Sequence, residues 1–170
     1  MWAPACSASW RFAISMITVI CHNIRSAYNI GSILRTADCL GVQTVYCTGY
    51  SPLPDNPRVQ KTALGAEKTI QWKHHGRLSA LITELRKDGW WVVALETDIA
   101  AQELHTVDYA RYPRIALIVG NEKRGISARI RSLADAVVRI PMRGAKESLN
   151  VANAFAVAGY WIALHCDRSW

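Results

Sequence analysis

The chain reads as an α/β domain, a mostly parallel sheet flanked by helices, and three observations predict it. Short apolar runs alternate with stretches of helical periodicity, the pattern of repeated strand–helix units. The 90–95 run carries no charged residue, as befits a central strand covered on both faces. Two runs, 117–119 and 137–140, stop at polar loops, GNEKRGIS and PMRGAKESLN. Ligands of open parallel sheets sit outside the carboxyl ends of the strands, so both loops are expected at one site.

The first strand is expected at 17–21, β-branched and apolar. Ile30, Ile33, Leu34, Ala37 and Leu40 repeat at helical spacing, with Asn29 at the N-cap position and Gly41 as the stop. Ser32 and Arg35 fall off that apolar stripe. Residues 42–48 form a second strand, and SPLPDNPR, with three prolines, a loop. KTALGAEKTIQW reads as a short helix or loop followed by a strand over 68–72. Leu78, Leu81, Ile82 and Leu85 mark an amphipathic helix closed by Gly89; 90–95 is a strand and 100–113 mostly loop. A strand over 114–119, a helix over 127–134 capped by Ser127, and a strand over 136–140 follow. The last helix is expected over 148–165, with Ser148 as its cap. It is apolar on most faces, so it needs cover on more than one side, from the sheet and from a second subunit.

At 170 residues the chain is long enough for one domain with a real core. Residues 1–15 lie before the first strand and read as an extension; 16–170 make the domain. The extension has no basic segment ahead of its apolar residues, which argues against a signal peptide. The longest apolar run, 154–164, is shorter than the ~20 residues of a membrane span. Cys6, Cys21, Cys39, Cys47 and Cys166 form no CxxC pair, which disfavours zinc and redox sites and fits a reducing cytoplasm. His22, His74, His75, His105 and His165 have no metal-ligand spacing, so no metal is expected. The net charge of +7, from 20 basic against 13 acidic residues, favours a polyanionic partner.

Two nucleotide motifs fail. Gly120 and Gly125 have P-loop spacing, but Ile126 stands where the lysine belongs. No GxGxxG follows the first strand. Taken singly, Glu122 is an exposed loop carboxylate, Arg35 a solvated charge, and Asn29 and Ser148 caps. Asn150 and Asn153 are less ordinary, because buried amides at the start of so apolar a helix need hydrogen-bond partners. The seven tryptophans read as core or interface residues.

Three stretches taken together carry more. N-x-R-S-A-Y-N-x-G-S-x-x-R-T-A, I-V-G-N-E-x-x-G-I and I-P-M-x-G-x-x-E-S-L-N-V, in that order, resemble the three motifs of the SpoU (TrmH) family of RNA ribose 2′-O-methyltransferases. The resemblance covers roughly residues 19–160, and KTALGAE also looks familial. Ala27 and the Ala152-Asn153 pair depart from the usual pattern without touching a chemical role.

The resemblance implies an α/β-knot (SPOUT) fold with a C-terminal deep trefoil knot, S-adenosylmethionine (SAM) as methyl donor, S-adenosylhomocysteine as product, no metal, and a homodimer. It places the donor against Leu95, Glu96, Thr97, Gly120, Ile140, Met142, Ser148 and Leu149. Motif by motif, it puts Asn29, Arg35, Glu122, Ser148 and Asn150 in the chemistry. A guanidinium stays protonated in proteins, so Arg35 reads better as a clamp on phosphate and on the developing alkoxide than as a base; the proton acceptor stays open. RNA, tRNA or rRNA, would be gripped through Arg25, Lys61, Arg124, Arg143 and Lys146, contacts that mainly hold phosphate. The competing readings are a knot domain that binds RNA or SAM without turnover, and a related enzyme that methylates a base.

Overall fold

The central strands are short and apolar on both faces, and each strand is followed by a segment that crosses back over the sheet, so every pairing between them is parallel. The computed structural model describes residues 16–166; the expected 1–15 extension lies outside them. In chain order the elements are β1 (Met16–His22), α1 (Ala27–Cys39), β2 (Thr44–Thr48), α2 (Pro57–Ala63), α3 (Ala66–Thr69), β3 (Trp72–His75), α4 (Leu78–Lys87), β4 (Trp91–Leu95), β5 (Gln102–Glu103), β6 (Arg114–Val119), α5 (Ala128–Arg131), β7 (Ala136–Arg139) and α6 (Val151–Cys166). Among the described residues the sheet has seven strands in the order β3-β2-β1-β6-β4-β7-β5.

Alternation along each strand divides the core into two layers. Ile17, Val19, Cys21, Val93, Leu95, Ile115, Leu117 and Val119 face a layer built from α1, α2 and α6. Ile20, Val92, Ala94, Ala116 and Ile118 face α4 and the α5 region. Burial pushes the Cys47 thiol up to about 12 and raises Cys21 well above its ordinary range, with Cys47 beside it adding to the rise. Both behave as core hydrophobes, and no disulfide joins the described cysteines.

Several boundaries differ from the sequence reading, each for a local reason. Ser26, not Asn29, caps α1: its backbone is extended and its hydroxyl accepts from the Asn29 N–H at 3.3 Å. The helix therefore starts one turn early and leaves the Asn29 side chain free for other partners. Part of the expected proline loop is helix, because Asn56 caps and Pro57 opens α2. The strand expected over 68–72 lies at Trp72–His75 instead. Leu64 and Gly65 both take left-handed conformations and launch α3 where that strand was expected. The helix after Ser127 is shorter than expected, although Ser127 is its cap. The last helix begins at Val151. Asn150 rather than Ser148 caps it, its Oδ1 accepting from the N–H groups of Ala152 at 2.9 Å and Asn153 at 3.4 Å.

Candidate active site

The carboxyl ends of β4, β6 and β7 open into a cavity of about 280 Å³, closed by the chain that leads into α6. Leu95, Glu96, Thr97, Gly120, Ile140, Met142, Ser148 and Leu149 all line it. The eight residues expected to hold a small ligand thus surround one space.

Its wall is backbone drawn close together. The Glu96 carboxylate accepts from the Ile126 N–H, and its second oxygen accepts from the Thr97 N–H at 3.2 Å. Gly125 takes φ +60, and a Cβ there would run into the Glu96 carboxylate. A Cβ on Gly120 would meet Ile126 and the Gly125 carbonyl carbon, the latter at 2.8 Å. The 120–126 turn therefore holds its shape only because those two positions lack side chains.

Beside the cavity, Glu122 ties the second motif to the first. Its carboxylate accepts from the backbone N–H groups of Arg25 at 2.9 Å and Ser26 at 3.0 Å, and from Asn29 Nδ2 at 2.8 Å. Partial burial alone would raise its pKa. The hydrogen bonds from Arg25, its own N–H, Ser26 and Asn29 outweigh that and hold it below the ordinary value of 4.5. Glu122 is ionised with both oxygens occupied, which makes it a brace rather than a free base. The third motif joins through Asn150, whose Nδ2 donates to Asn29 Oδ1 at 3.1 Å. Three stretches distant in sequence thus meet at Asn29.

Ser148 lines the cavity from an exposed loop. Arg35 is not gathered in: it lies exposed on α1, lines neither cavity, and has no ion-pair partner among the described residues. Of the basic residues expected to grip RNA, Arg25 and Arg124 line a second groove of about 740 Å³ with Arg58 and Lys123. Lys61, Arg143 and Lys146 are exposed outside it.

Sequence reasoning missed two asparagines. Asn121 shapes the turn: its Oδ1 accepts from the N–H groups of Lys123 at 3.0 Å and Arg124 at 2.9 Å, and its Nδ2 donates to the Asn23 carbonyl at 2.9 Å. Asn23 takes φ +55 and accepts the Tyr50 N–H at 3.2 Å. Asparagine's tolerance of the left-handed region was the available signal, since Asn23 directly follows an apolar strand. Among the described residues no group of acids, histidines and cysteines could hold a metal ion.

Comparison with known proteins identifies the family. The model of the SpoU rRNA Methylase family matches residues 16–160. The chain is similar to the 23S rRNA (guanosine-2′-O-)-methyltransferase RlmB of Bordetella pertussis, 35% identical over 144 residues, covering 85% of this chain and 58% of that protein. It is also similar to the tRNA (guanosine(18)-2′-O)-methyltransferase of Thermus thermophilus, 33% identical over 141 residues, 83% of this chain and 71% of that one. Among solved structures, the AdoMet-bound rRNA methyltransferase from Sinorhizobium meliloti superposes with a TM-score of 0.82 at 27% identity, over 89% of this chain and 57% of that chain.

Proposed function

The chain belongs to the SpoU rRNA Methylase family, and we propose that it transfers a methyl group from SAM to the ribose 2′-hydroxyl of a nucleotide in tRNA or rRNA. The observation that carries this reading is the convergence of Glu122, Asn29 and Asn150 on one hydrogen-bonded chain beside the cavity. Proteins similar to this one are named for 2′-O-methylation of guanosine in rRNA and in tRNA.

The cavity suits SAM. It is near the lower end of the size range of small-molecule sites, lies at the strand ends, and is walled by the glycine turn, which admits a ligand against bare backbone. Bound there, SAM supplies a methyl group already activated on a sulfonium. The protein's part is then to align the hydroxyl and ease loss of its proton. Leu95, Thr97, Gly120, Ile140, Met142 and Leu149 would enclose the donor, while Glu96 holds the turn at Ile126. Asn29, fixed by Glu122 and Asn150, would orient the ribose with Ser148. Arg35, permanently cationic, would hold the adjoining phosphate and the developing alkoxide.

Three further parts belong to this proposal. The chain is a homodimer: α6 leaves Val157, Tyr160 and Leu164 each 47% exposed at helical spacing, an apolar stripe suited to a second copy. The C-terminal part forms the trefoil knot, as the segment after β7 shares one cavity with the 120–125 loop before α6 packs on α1. The protein works in the cytoplasm, where its RNA resides; no described helix is long and apolar enough to cross a membrane.

The test is transfer of radiolabelled methyl from SAM to total tRNA and rRNA, with the product nucleoside identified. A 2′-O-methylated ribose resistant to alkaline cleavage is expected. Label on a base would convert the reading to a base methyltransferase, and RNA or SAM binding without transfer would make the chain a silent binder.

A further inference from the structure

The groove beside Glu122 holds more than cations. Tyr28, 53% exposed, and Tyr50, 61% exposed, line it together with Arg25, Arg58, Lys123 and Arg124. An exposed tyrosine usually pivots freely about its side-chain bonds. Tyr50 is instead held at both ends: its N–H donates to Asn23 Oδ1 at 3.2 Å, and its phenol oxygen accepts from Asn121 Nδ2 at 2.9 Å. Both partners belong to the network that shapes the 121–125 turn. Tyr28 immediately precedes Asn29 in the first turn of α1, and its carbonyl accepts from Thr62 Oγ1 at 3.0 Å. The groove and the cavity share residues Asn121 to Arg124.

Phosphate recognition alone has no use for a ring fixed as that of Tyr50 is. Aromatic faces beside cations suit single-stranded nucleic acid, whose bases stack while its phosphates pair with arginine and lysine. Among the described residues the only acid lining the groove, Glu122, already has its oxygens in hydrogen bonds with protein donors. We infer that this groove receives an unpaired RNA base neighbouring the methylated nucleotide, stacked on Tyr50 and flanked by Tyr28, with the adjoining phosphates held by Arg25, Arg58, Lys123 and Arg124. This subsite rests on the reading of the chain as an RNA methyltransferase and adds a way of choosing where on the RNA it acts.

The experiment uses the full chain and a fluorescein-labelled RNA hairpin with a single-stranded loop, made abasic at one loop position at a time. Tyr50→Ala and Tyr28→Ala should each weaken binding about 5- to 100-fold. Tyr50→Phe, which keeps the ring and loses only the hydrogen bond to Asn121, should cost less than about threefold. One abasic position should weaken wild-type binding and cost Tyr50→Ala much less, the non-additivity expected of direct contact. SAM affinity by calorimetry should match wild type in all three variants, which shows that the fold is kept. Alanine variants that bind RNA like wild type would overturn the inference, as would losses that simply add at every abasic position. So would conversion of either variant from dimer to monomer, which would mean that the rings cover a second protein copy. Failure of the underlying reading has a separate signature, the absence of methyl transfer to total RNA by the wild-type chain.

Discussion

The cavity at the strand ends and the exposed face of α1 are finished to different degrees. The cavity draws on the ends of β4, β6 and β7 and the approach to α6. Its turn is closed by internal hydrogen bonds that Glu96 and Asn121 accept from backbone N–H groups. The face of α1 carrying Arg35 has no such closure; the guanidinium stands without an ion-pair partner among the described residues. Arg35 also lies six residues beyond Asn29, about 9 Å along the helix and roughly 120° around it. On the proposed dimer, a group so displaced from Asn29 is expected to serve the partner's site instead of its own. One chain gathers the residues proposed for the donor around a single cavity but leaves Arg35 outside it, and on the proposed dimer that cation would come from a second copy.

The largest effects should come from breaking each side separately. Gly120→Trp forces a side chain into Ile126 and the Gly125 backbone, and should weaken SAM binding by more than about 100-fold in calorimetry. Arg35→Ala should bind SAM like wild type while methyl transfer falls by about 100-fold or more. Equal SAM affinity in Gly120→Trp and wild type would put the donor elsewhere. The two inactive proteins, unfolded and refolded together, should regain roughly a quarter of wild-type transfer, since half the dimers are mixed and each holds one intact site. No recovery in a sample with proven mixed dimers would confine the site to one chain.

Glu122 offers a smaller test, of the brace joining the two sides. Glu122→Gln puts an amide where three N–H donors converge, and should lower transfer about tenfold and stability by about 1 kcal/mol after allowance for exposure. The folded carboxyl lies below its ordinary 4.5. Its contribution is therefore present at neutral pH and lost as pH falls through the folded pKa. Urea melts should show wild type more stable than the variant near neutrality and the gap closing in acid, below about pH 4.5. A gap independent of pH would mean that the charge has no part in the brace.

The same contrast marks what the sequence could reveal. The cavity was legible because its residues sit where apolar runs stop, and strand ends are where a parallel sheet binds ligands; the resemblance supplied the identities. The strand at Trp72–His75 was not, because an edge strand with exposed Lys73 and His74 has no buried pattern to detect. Asn29 was misread as a cap because Ser26, three residues earlier, competes for that role and wins. Propensity alone does not decide between two good caps one turn apart. The hold of Asn121 on Asn23 and Tyr50 spans long sequence separations, and no local pattern encodes it.

The finest test concerns Asn150, which works on both sides of the contrast at once. Its Oδ1 caps α6 through Ala152 and Asn153, while its Nδ2 holds Asn29 at 3.1 Å. Asn150→Ala removes both functions. The lost cap should cost about 1 kcal/mol, a fall in Tm of about 2–4 °C for a chain of this size. Asn150→Ser separates them, because a serine hydroxyl still caps a helix but is too short to reach Asn29. It should restore the melting temperature to within about 1 °C of wild type and leave methyl transfer as low as in the alanine variant. KM for RNA should carry the loss and SAM affinity should not, since the proposed role of Asn29 is to orient the ribose. Recovery of both stability and transfer in Asn150→Ser would make the residue a helix cap and nothing more, and would remove the third motif from the chain of contacts that orients the hydroxyl.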